Sequence, residues 1–270
     1  MTAQSHGRRG CAALVVAIAL SSGALAQEQK KPAIDPTAAQ NPIASLISIP
    51  FQNNTNLNYG PYQKTQANLI VQPVVPFHLT DEINLITRWI TPLVYQPRVA
   101  PSRDQAFGLG NLQPQFYFTS AHPGPIMWGL GPQFWLPTAS DDALGINKTG
   151  AGPAFAILAI RGPWVVGALV NQIWAGSHDE QVNRFTFNPF INYNLPGGWY
   201  LSSAPVITAD WHATGSDRWV VPLGGGIGRV FAIGAQHFNA RVQVFNNIVR
   251  PEFAPNWTLQ AQLQLLFPAP

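Results

Sequence analysis

The residues whose types could carry out a reaction are two serines, an aspartate and a histidine in one short stretch. Ser202 and Ser203 share a predicted strand with Asp210, and His212 follows that strand. A serine hydrolase needs a hydroxyl nucleophile within hydrogen-bond reach of a histidine base. The chain has no Gly-x-Ser-x-Gly motif that would present such a serine on a sharp turn. A hydrolase is therefore kept as an alternative that rests on these four residues alone.

The spacing of the other polar residues does not favour metal or cofactor chemistry. None of the six histidines forms a His-x-x-x-His pair, and the chain has no glycine-rich phosphate loop. We predict no catalytic residue, no cofactor and no metal site. The acidic pairs Asp141-Asp142 and Asp179-Glu180 fall in predicted loops. Solvated charge is the first interpretation of these pairs, and divalent-cation bridging to surface lipid is the second.

The N-terminus has the three parts of a secretory signal peptide. A basic start is followed by an apolar run over residues 11–20 and by the small-x-small triplet Ala24-Leu25-Ala26. The apolar run is too short to span a bilayer as a helix. We predict cleavage between Ala26 and Gln27, which also removes Cys11, the only cysteine.

Charge is scarce in the chain that remains after this cleavage. Charged residues make up 10% of the sequence, against about 25% in ordinary soluble domains. Arg8 and Arg9 leave with the signal, so 13 of the 15 basic residues stand against 12 acidic ones. This balance argues against a basic patch for nucleic acid, and no later window is long and apolar enough for a transmembrane helix. Low charge in an exported chain leaves two classes, an outer-membrane barrel or a secreted β-sandwich.

The last predicted strand, residues 256–267, favours the barrel. Its apolar and polar side chains alternate, and only Leu266 breaks the rule. One face carries Trp257, Leu263 and Phe267, whereas the other is rich in glutamine, and neither face carries a charge. Successive side chains of a strand point to opposite faces. An apolar face opposite an uncharged polar face is typical of a strand with lipid outside and a polar lumen inside.

Twelve segments have the length and alternation of barrel strands, and bacterial single-chain barrels have even strand numbers. They cover residues 46–58, 65–77, 82–96, 107–119, 126–137, 149–160, 164–174, 184–195, 199–211, 218–231, 236–246 and 256–267. We therefore predict an all-β fold, a transmembrane antiparallel up-and-down β-barrel of about 12 strands. The predicted domains are a signal peptide over residues 1–26, a periplasmic lead-in or small plug over residues 27–45, and a barrel domain over residues 46–270.

The predicted connections alternate in length, as the periplasmic turns and outer loops of such barrels do. Short connections fall at residues 78–81, 161–163, 196–198 and 232–235, and longer ones at residues 97–106, 138–148, 175–183, 212–217 and 247–255. The outer connection at residues 59–64 is short and the periplasmic one at residues 120–125 is of middle length, so these two fit the alternation least well. Tryptophans adjoin connections of both kinds. This placement is typical of the aromatic girdles at the two membrane interfaces.

Proline recurs within the predicted strands, although proline cannot donate a hydrogen bond to a ladder. The residues concerned are Pro73, Pro92, Pro114, Pro132, Pro153, Pro189, Pro205 and Pro222. We interpret them as a band of bulges or kinks at similar height in successive strands.

The few charges within strands point to the lumen. An arginine that faces lipid at the midplane costs about 2–4 kcal/mol, so strand arginines should face the lumen or lie near a rim. Arg88 and Arg241 are the most central, and Arg184, Arg218 and Arg229 are the others. The predicted lumen-lining residues are Gln72, Arg88, Asn111, Gln113, Gln133, Asn188, Arg241, Gln243 and Gln262. An open passage and a lumen sealed by these groups both fit, because small barrels fill with side chains.

Several motifs resemble one family of bacterial outer-membrane barrels. Residues 41–54 (NPIASLISIPFQNN) are similar to the opening of the family named for the MetA pathway of phenol degradation, whose members are often labelled transporter or "neuromedin U". Supporting stretches are residues 72–77, 107–111, 128–132, 136–141 and 150–153. The resemblance covers most of the chain after residue 40. It implies a membrane barrel that transports small organic compounds, and it implies no catalytic residues.

These features together predict a passive channel or transporter for small, hydrophobic or aromatic, molecules in the outer membrane of a Gram-negative bacterium. The alternatives are a non-conducting barrel with a structural or surface-interaction role and the barrel-embedded hydrolase. The predicted partners are outer-membrane lipid and lipopolysaccharide, the barrel-assembly machinery acting through the C-terminal strand, and an unidentified small solute. No nucleic acid is predicted as a partner.

Overall fold

The structure is a computed structural model that describes residues 34–177 and 180–268. Nearly all of its regular structure is β, and the described residues also form short 3₁₀ helices at Ala38–Gln40, Pro196–Gly198 and Gly215–Arg218. No helix in these two ranges is long and apolar enough to span a membrane. The predicted signal peptide and its cleavage site between Ala26 and Gln27 lie outside the described residues.

The described chain has fifteen strand segments. They are β1 (Leu46–Tyr59), β2 (Lys64–Val71), β3 (Val74–His78), β4 (Ile83–Gln96), β5 (Ala106–Leu109), β6 (Gln113–Ser120), β7 (Ile126–Trp135), β8 (Gly150–Arg161), β9 (Trp164–Ser177), β10 (Glu180–Asn194), β11 (Trp199–Ser203), β12 (Ile207–Asp210), β13 (Trp219–Ile233), β14 (Gln236–Val249) and β15 (Trp257–Pro268).

These segments form one antiparallel sheet that closes on itself. β1 pairs with β15 over twelve residue pairs, from Leu46 opposite Pro268 to Leu57 opposite Trp257, and this pairing joins the two ends of the sheet. Three barrel strands are interrupted, so that β2 with β3, β5 with β6, and β11 with β12 each make up one strand of the wall. The predicted antiparallel barrel of 12 strands is confirmed, and each predicted segment overlaps one strand of this wall.

The outer surface of the barrel is apolar and the inner surface is polar. In β15, Leu259 and Leu263 are 42% and 43% exposed, whereas Gln260 and Gln264 are buried. A water-soluble barrel would bury the leucines instead. Leu266, which breaks the alternation, is buried and packs inside the barrel with Ala39 and Tyr200. Large exposed side chains such as Trp128 and Leu130 continue the apolar surface on β7.

The two ends of the barrel differ in the length of their connections, as predicted. One end has the connections 79–82, 121–125, 162–163, 195–198 and 234–235. The other end has the longer connections 97–105, 136–149, 211–218 and 250–256, together with the four-residue connection 60–63. The long connection predicted at residues 175–183 is wrong. β9 and β10 stay paired up to Ser177 opposite Glu180, because backbone pairing continues through polar residues that carry no apolar pattern.

The in-strand prolines divide into two groups. Pro73 and Pro205 lie at the interruptions of two barrel strands, and Pro222 lies at a register shift between β13 and β14. Pro92 faces the interruption between β5 and β6, where the register with β4 shifts by one residue between the pairs Ile90–Gln113 and Leu93–Leu109. The other four lie within ladders that show no register shift, so the bulge interpretation is wrong for them; they are Pro114, Pro132, Pro153 and Pro189. Pro132 faces Pro153 directly across β7 and β8. The residue pairs on either side of Pro132 and Pro153 keep β7 and β8 in the same register.

Gly228 in β13 gives room for a buried tyrosine on the neighbouring strand. A Cβ atom at this position would lie 2.2 Å from Cζ and 2.4 Å from the hydroxyl oxygen of Tyr200. The Tyr200 hydroxyl donates a 2.6 Å hydrogen bond to Asn239 Oδ1, which holds the ring in place. The glycine is therefore required by close packing at this point in the wall.

We expect Gly228→Ala to lower the free energy of unfolding by about 1–3 kcal/mol, the usual cost of overpacking. Denaturant titration of the barrel in detergent measures this. In a Tyr200→Leu background the same substitution should cost less, because the ring that the methyl group meets has been removed. An equal cost in both backgrounds would contradict this explanation and would place the strain in the backbone.

Candidate functional site in the barrel lumen

The lumen contains a cavity of about 500 Å³. Its polar lining is dominated by amide side chains, namely those of Gln40, Asn41, Gln52, Asn54, Asn68, Gln72, Gln113, Gln115, Asn171, Asn188, Asn192, Asn239, Gln260, Gln262 and Gln264. Apolar side chains, including those of Ile70, Leu169 and Phe190, share the lining. The cavity is therefore a mixed surface that can hydrogen-bond a solute and also cover a small apolar group.

The structure places the predicted lumen residues in two groups. Six of them line this cavity: Gln72, Arg88, Gln113, Asn188, Arg241 and Gln262. The other three, Asn111, Gln133 and Gln243, are buried within the barrel wall and its connections and do not line it. Alternation along a strand indicates which side chains point inward, but it does not separate those that reach the cavity from those tied up beside it.

Asn111 fixes a long connection to the barrel wall. Its Nδ2 group donates to the carbonyl oxygens of Leu136 at 2.9 Å and Ile146 at 2.6 Å, at the two ends of that connection. Gly108 on β5 lies beneath the same connection, because a Cβ there would lie 2.1 Å from Ser140 Oγ. Asn111 thus holds residues 136–146 against the inner side of β5, at the end of the barrel with the longer connections.

Gln133 and Gln243 belong to buried hydrogen-bond networks. Gln133 Nε2 donates to the Gln172 carbonyl at 3.1 Å, and its Oε1 accepts from Gln115 Nε2 at 3.0 Å. Gln243 Nε2 donates to the Ser202 carbonyl at 3.0 Å. These contacts satisfy both ends of the Gln133 amide, which would otherwise be costly to bury, whereas Gln243 Oε1 has no hydrogen-bond partner among the described residues.

At the interruption between β11 and β12, the backbone carbonyls accept hydrogen bonds from a side chain on the neighbouring strand. Asn188 on β10 donates through Nδ2 to the Pro205 carbonyl at 2.7 Å and to the Ala204 carbonyl at 3.3 Å. Carbonyls at an interruption lose their ladder partners, and a buried carbonyl without a partner is unfavourable. Asn188 therefore both lines the cavity and stabilises the wall.

The two central arginines are held by neutral amides. Arg88 donates through Nε to Gln72 Oε1 at 3.2 Å, and its Nη2 donates to the same oxygen. Arg241 donates through Nη2 to Gln262 Oε1 at 3.0 Å and to Gln260 Oε1 at 3.3 Å. Both guanidinium groups therefore stay in the lumen without a carboxylate partner among the described residues.

The other three arginines of the predicted strands, Arg184, Arg218 and Arg229, stack on tryptophan rings. Arg184 also lines the cavity, and its guanidinium carbon lies 5.6 Å from the ring centre of Trp135. Arg229 lies 5.1 Å from the Trp199 ring at the short-connection end, and Arg218 stacks on an aromatic ring at the other end. All five arginines are thus placed in the lumen or near a rim.

A segment that precedes the barrel, residues 34–45, lies inside it. Ala39 and Ile43 are 4% and 5% exposed. Ile43 packs in one cluster with Ile86 and Leu158, which lie on strands well separated around the wall. The Gln40 Nε2 group donates to Asn194 Oδ1 at 2.7 Å. The segment therefore crosses the lumen at the short-connection end and forms part of the cavity lining.

Many residues that line the cavity were not among the nine predicted ones, and Tyr200 and Asn239 are two that bond to each other. Tyr200 and Asn239 line the cavity and bond to each other at 2.6 Å, and Asn239 Nδ2 also donates to Gln264 Oε1 at 3.1 Å. The sequence gives one indication of Tyr200. Trp199 is exposed on the outer face, and because side chains alternate along a strand, the next residue, Tyr200, points inward.

The structure does not bring the hydrolase candidates together. Ser203 Oγ donates to the Gly224 carbonyl at 2.7 Å, and Ser202 Oγ accepts from Gln243 Nε2 at 3.2 Å. His212 is exposed beyond the end of β12, and its backbone N–H bonds to Asp210 Oδ1 at 3.0 Å. Neither serine hydroxyl is bonded to a histidine, so the nucleophile and base of a hydrolase are not assembled from these residues.

Comparisons with solved structures agree with this architecture. An outer membrane channel from Pseudomonas putida F1 is similar, with a TM-score of 0.61 and 17% sequence identity over 82% of this chain and 94% of that one. The NanC porin is similar with a TM-score of 0.51 and 7% identity, over 82% of this chain and 98% of the porin. The chain shares their fold. No family model matches the sequence, and no curated protein matches it either. At these sequence identities the similarity establishes the fold only, so the function has to be argued from the cavity and its lining residues.

Proposed function

We propose that this chain is a bacterial outer-membrane barrel that lets small organic molecules diffuse through its lumen. The observation that carries the proposal is a cavity lined by amides and arginines inside a barrel whose outer surface is apolar. A polar interior within a lipid-facing wall is the arrangement that gives a solute a path across a membrane.

The exposed side chains support the membrane location. Trp164 and Trp199 are exposed at the short-connection end, and Trp174, Trp211 and Trp257 are exposed near the other end. Aromatic residues at two levels are favoured at the two membrane interfaces. An apolar surface of this extent would be a liability in water, because soluble monomers rarely expose large contiguous apolar patches.

Finer parts of the proposal rest on the sequence. We propose membership of the family named for the MetA pathway of phenol degradation, with small hydrophobic or aromatic molecules as solutes. Export would use a signal peptide that is cleaved between Ala26 and Gln27, and assembly would use the C-terminal strand as the contact for the barrel-assembly machinery. Outer-membrane lipid and lipopolysaccharide would contact the apolar wall. We propose no catalytic role for the chain.

A second candidate is a barrel that does not conduct and has a structural or surface-interaction role. It is favoured by one observation, the segment from Ala38 to Ile43 that crosses the lumen. Amides that bond to one another, such as Gln115 to Gln133, also fill part of the interior. The two candidates differ in whether a continuous passage opens beside this segment.

Planar-bilayer recording of the refolded chain tests the proposal. We expect discrete conductance steps, together with swelling of liposomes that contain the protein when a small neutral solute is added outside. The control is heat-denatured protein, which should give neither. A folded barrel that inserts and yet gives no steps and no swelling would exclude the channel and support the non-conducting barrel.

A further inference from the structure

The charge of the lumen cavity is entirely positive. Arg88, Arg184 and Arg241 line it, and no aspartate or glutamate of the described chain does. The acidic side chain of Asp81 lies in a short connection away from the cavity, 3.8 Å from His78 at the end of β3. Three cationic groups therefore share one cavity without an anionic partner.

Arg241 keeps unused hydrogen-bonding capacity. A guanidinium has five N–H donors. Arg241 uses Nη2 on two glutamine oxygens, while its buried Nε has no acceptor among the described residues. Arg88 bonds through two donors to the single oxygen of Gln72. Neutral amides therefore orient both groups without matching their charge, and one donor of Arg241 is left without an acceptor.

Arg184 lies nearer the end of the barrel with the longer connections. It is exposed, lines the cavity and has its guanidinium carbon 5.6 Å from the ring centre of Trp135. Asp210 is opposite Arg184 in the β10–β12 pairing, but the two side chains do not form an ion pair, and Asp210 Oδ1 accepts the His212 N–H instead. Arg184 is therefore a more peripheral cation than Arg88 and Arg241.

An unpaired cation inside a protein is unfavourable unless an anion or a set of acceptors compensates it. The guanidinium fork matches the two oxygens of a carboxylate, and such bonds are about twice as strong as those between neutral groups. Ile70, Leu169 and Phe190 line the same cavity and can cover an apolar group. The combination favours an organic anion with a small apolar body.

We propose that the lumen holds a binding site for small organic carboxylates, formed by Arg88 and Arg241 at its centre with Arg184 towards the long-connection end. This site deepens the proposed function, on which it rests, by naming the solute class as anionic. Neutral amides such as Gln72 and Gln262 hold the two central guanidinium groups in place and leave the charge for the ligand.

The test measures binding separately from conduction. Isothermal titration calorimetry of the refolded full chain in detergent uses benzoate, the neutral isostere benzyl alcohol, and inorganic phosphate. We expect benzoate to bind with a dissociation constant at least about tenfold lower than that of benzyl alcohol, the factor given by losing one charge-assisted interaction. The double variant Arg88→Gln/Arg241→Gln should lose this preference. The single variant Arg229→Gln removes one arginine charge at the rim and should keep the preference for benzoate.

Bilayer recording with a KCl gradient supplies the second measurement. We expect a reversal potential that shows anion selectivity, which the double variant loses and Arg229→Gln retains. If the double variant fails to fold, the single variant Arg184→Gln, at an exposed position, should shift the reversal potential in the same direction by a smaller amount.

Equal binding of benzoate and benzyl alcohol, or unchanged benzoate binding in the folded double variant, would overturn the site. Tighter binding of phosphate than of benzoate would overturn the assignment to carboxylates. Benzoate binding that depends on the two arginines, without any conductance, would support the site while excluding the channel. The failure of the site and the failure of the proposed function are thus distinguishable.

Discussion

Leu130→Arg is expected to lower the free energy of unfolding of the barrel in lipid by about 2–4 kcal/mol, the cost of an arginine on the lipid face near the bilayer midplane. Leu130 lies in the middle of β7 and is 51% exposed on the outer wall, beside the equally exposed Trp128. No acidic side chain of β7 is available to compensate the new charge. The measurement is a denaturant titration in phospholipid vesicles.

Gln113→Arg on the neighbouring strand is the matched control. Gln113 lines the cavity, so the same side chain there meets a polar surface. We expect its effect on the free energy of unfolding to be well below that of Leu130→Arg. Similar costs for the two variants would contradict a lipid-facing wall. A reversed order, with the larger cost at Gln113, would indicate that the apolar face of the strands is turned towards water.

The strands could be predicted because their pattern is local. In β15 each inward glutamine sits between two outward apolar residues, and the period of two specifies both the strand and its faces. The closure between β1 and β15 followed from an even number of such strands. Both features depend on residues that are close in sequence or on a simple count, so neither needed knowledge of distant contacts.

The interruptions of the wall could not be predicted in the same way. Pro73 and Pro205 mark two of them, yet Pro132 and Pro153 occupy similar sequence contexts within an unbroken ladder. Whether a proline breaks a strand depends on which neighbour its missing N–H would have served. That depends on the register with another strand, which the local sequence does not specify.

The cavity lining was only partly predictable for a related reason. Gln113 and Gln133 are both inward glutamines in adjacent strands, but Gln133 is sealed by Gln115 and the Gln172 carbonyl, whereas Gln113 reaches the cavity. Alternation gives the face of a side chain and no more. The partners of Gln133 come from β6 and β9, so its role is decided by contacts between strands.

The segment inside the lumen was the hardest feature to predict. The sequence predicts a periplasmic lead-in or a small plug over residues 27–45, of which the structure describes residues 34–45, and the absence of a periodic pattern does not decide between the two. Its buried residues, Ala39 and Ile43, are isolated apolar positions whose pocket exists only once the barrel has closed. A short polar segment of this kind usually indicates a poorly ordered terminus, and its burial follows from the shape of the barrel.

Deletion of residues 34–42 is expected to raise the single-channel conductance several-fold. These residues include Ala38 to Pro42, which line the cavity, and removing them takes the Gln40–Asn194 bond and the buried Ala39 out of the short-connection end. Ionic current through a pore is limited by its narrowest part, and this segment crosses the lumen. The measurement is planar-bilayer recording of the deletion variant beside the complete chain, in the same salt.

The variant Ala39→Cys/Leu266→Cys tests whether the segment occupies the lumen in the low-conductance state. The two side chains belong to one buried cluster, and the only native cysteine, Cys11, lies within the predicted signal peptide. With the disulfide formed the conductance should equal that of the complete chain, and a reducing agent should leave it unchanged, because the segment lies in the lumen without a cross-link. A locked variant that conducts like the deletion variant would contradict occlusion by this segment.

If instead the deletion leaves the conductance unchanged, the current passes beside residues 34–42 and the constriction lies elsewhere in the lumen. The other segment that could narrow the path is the connection that Asn111 fixes against β5. Asn111→Ala would then raise the conductance where the deletion does not, so the pair of variants locates the constriction at one end of the barrel or the other.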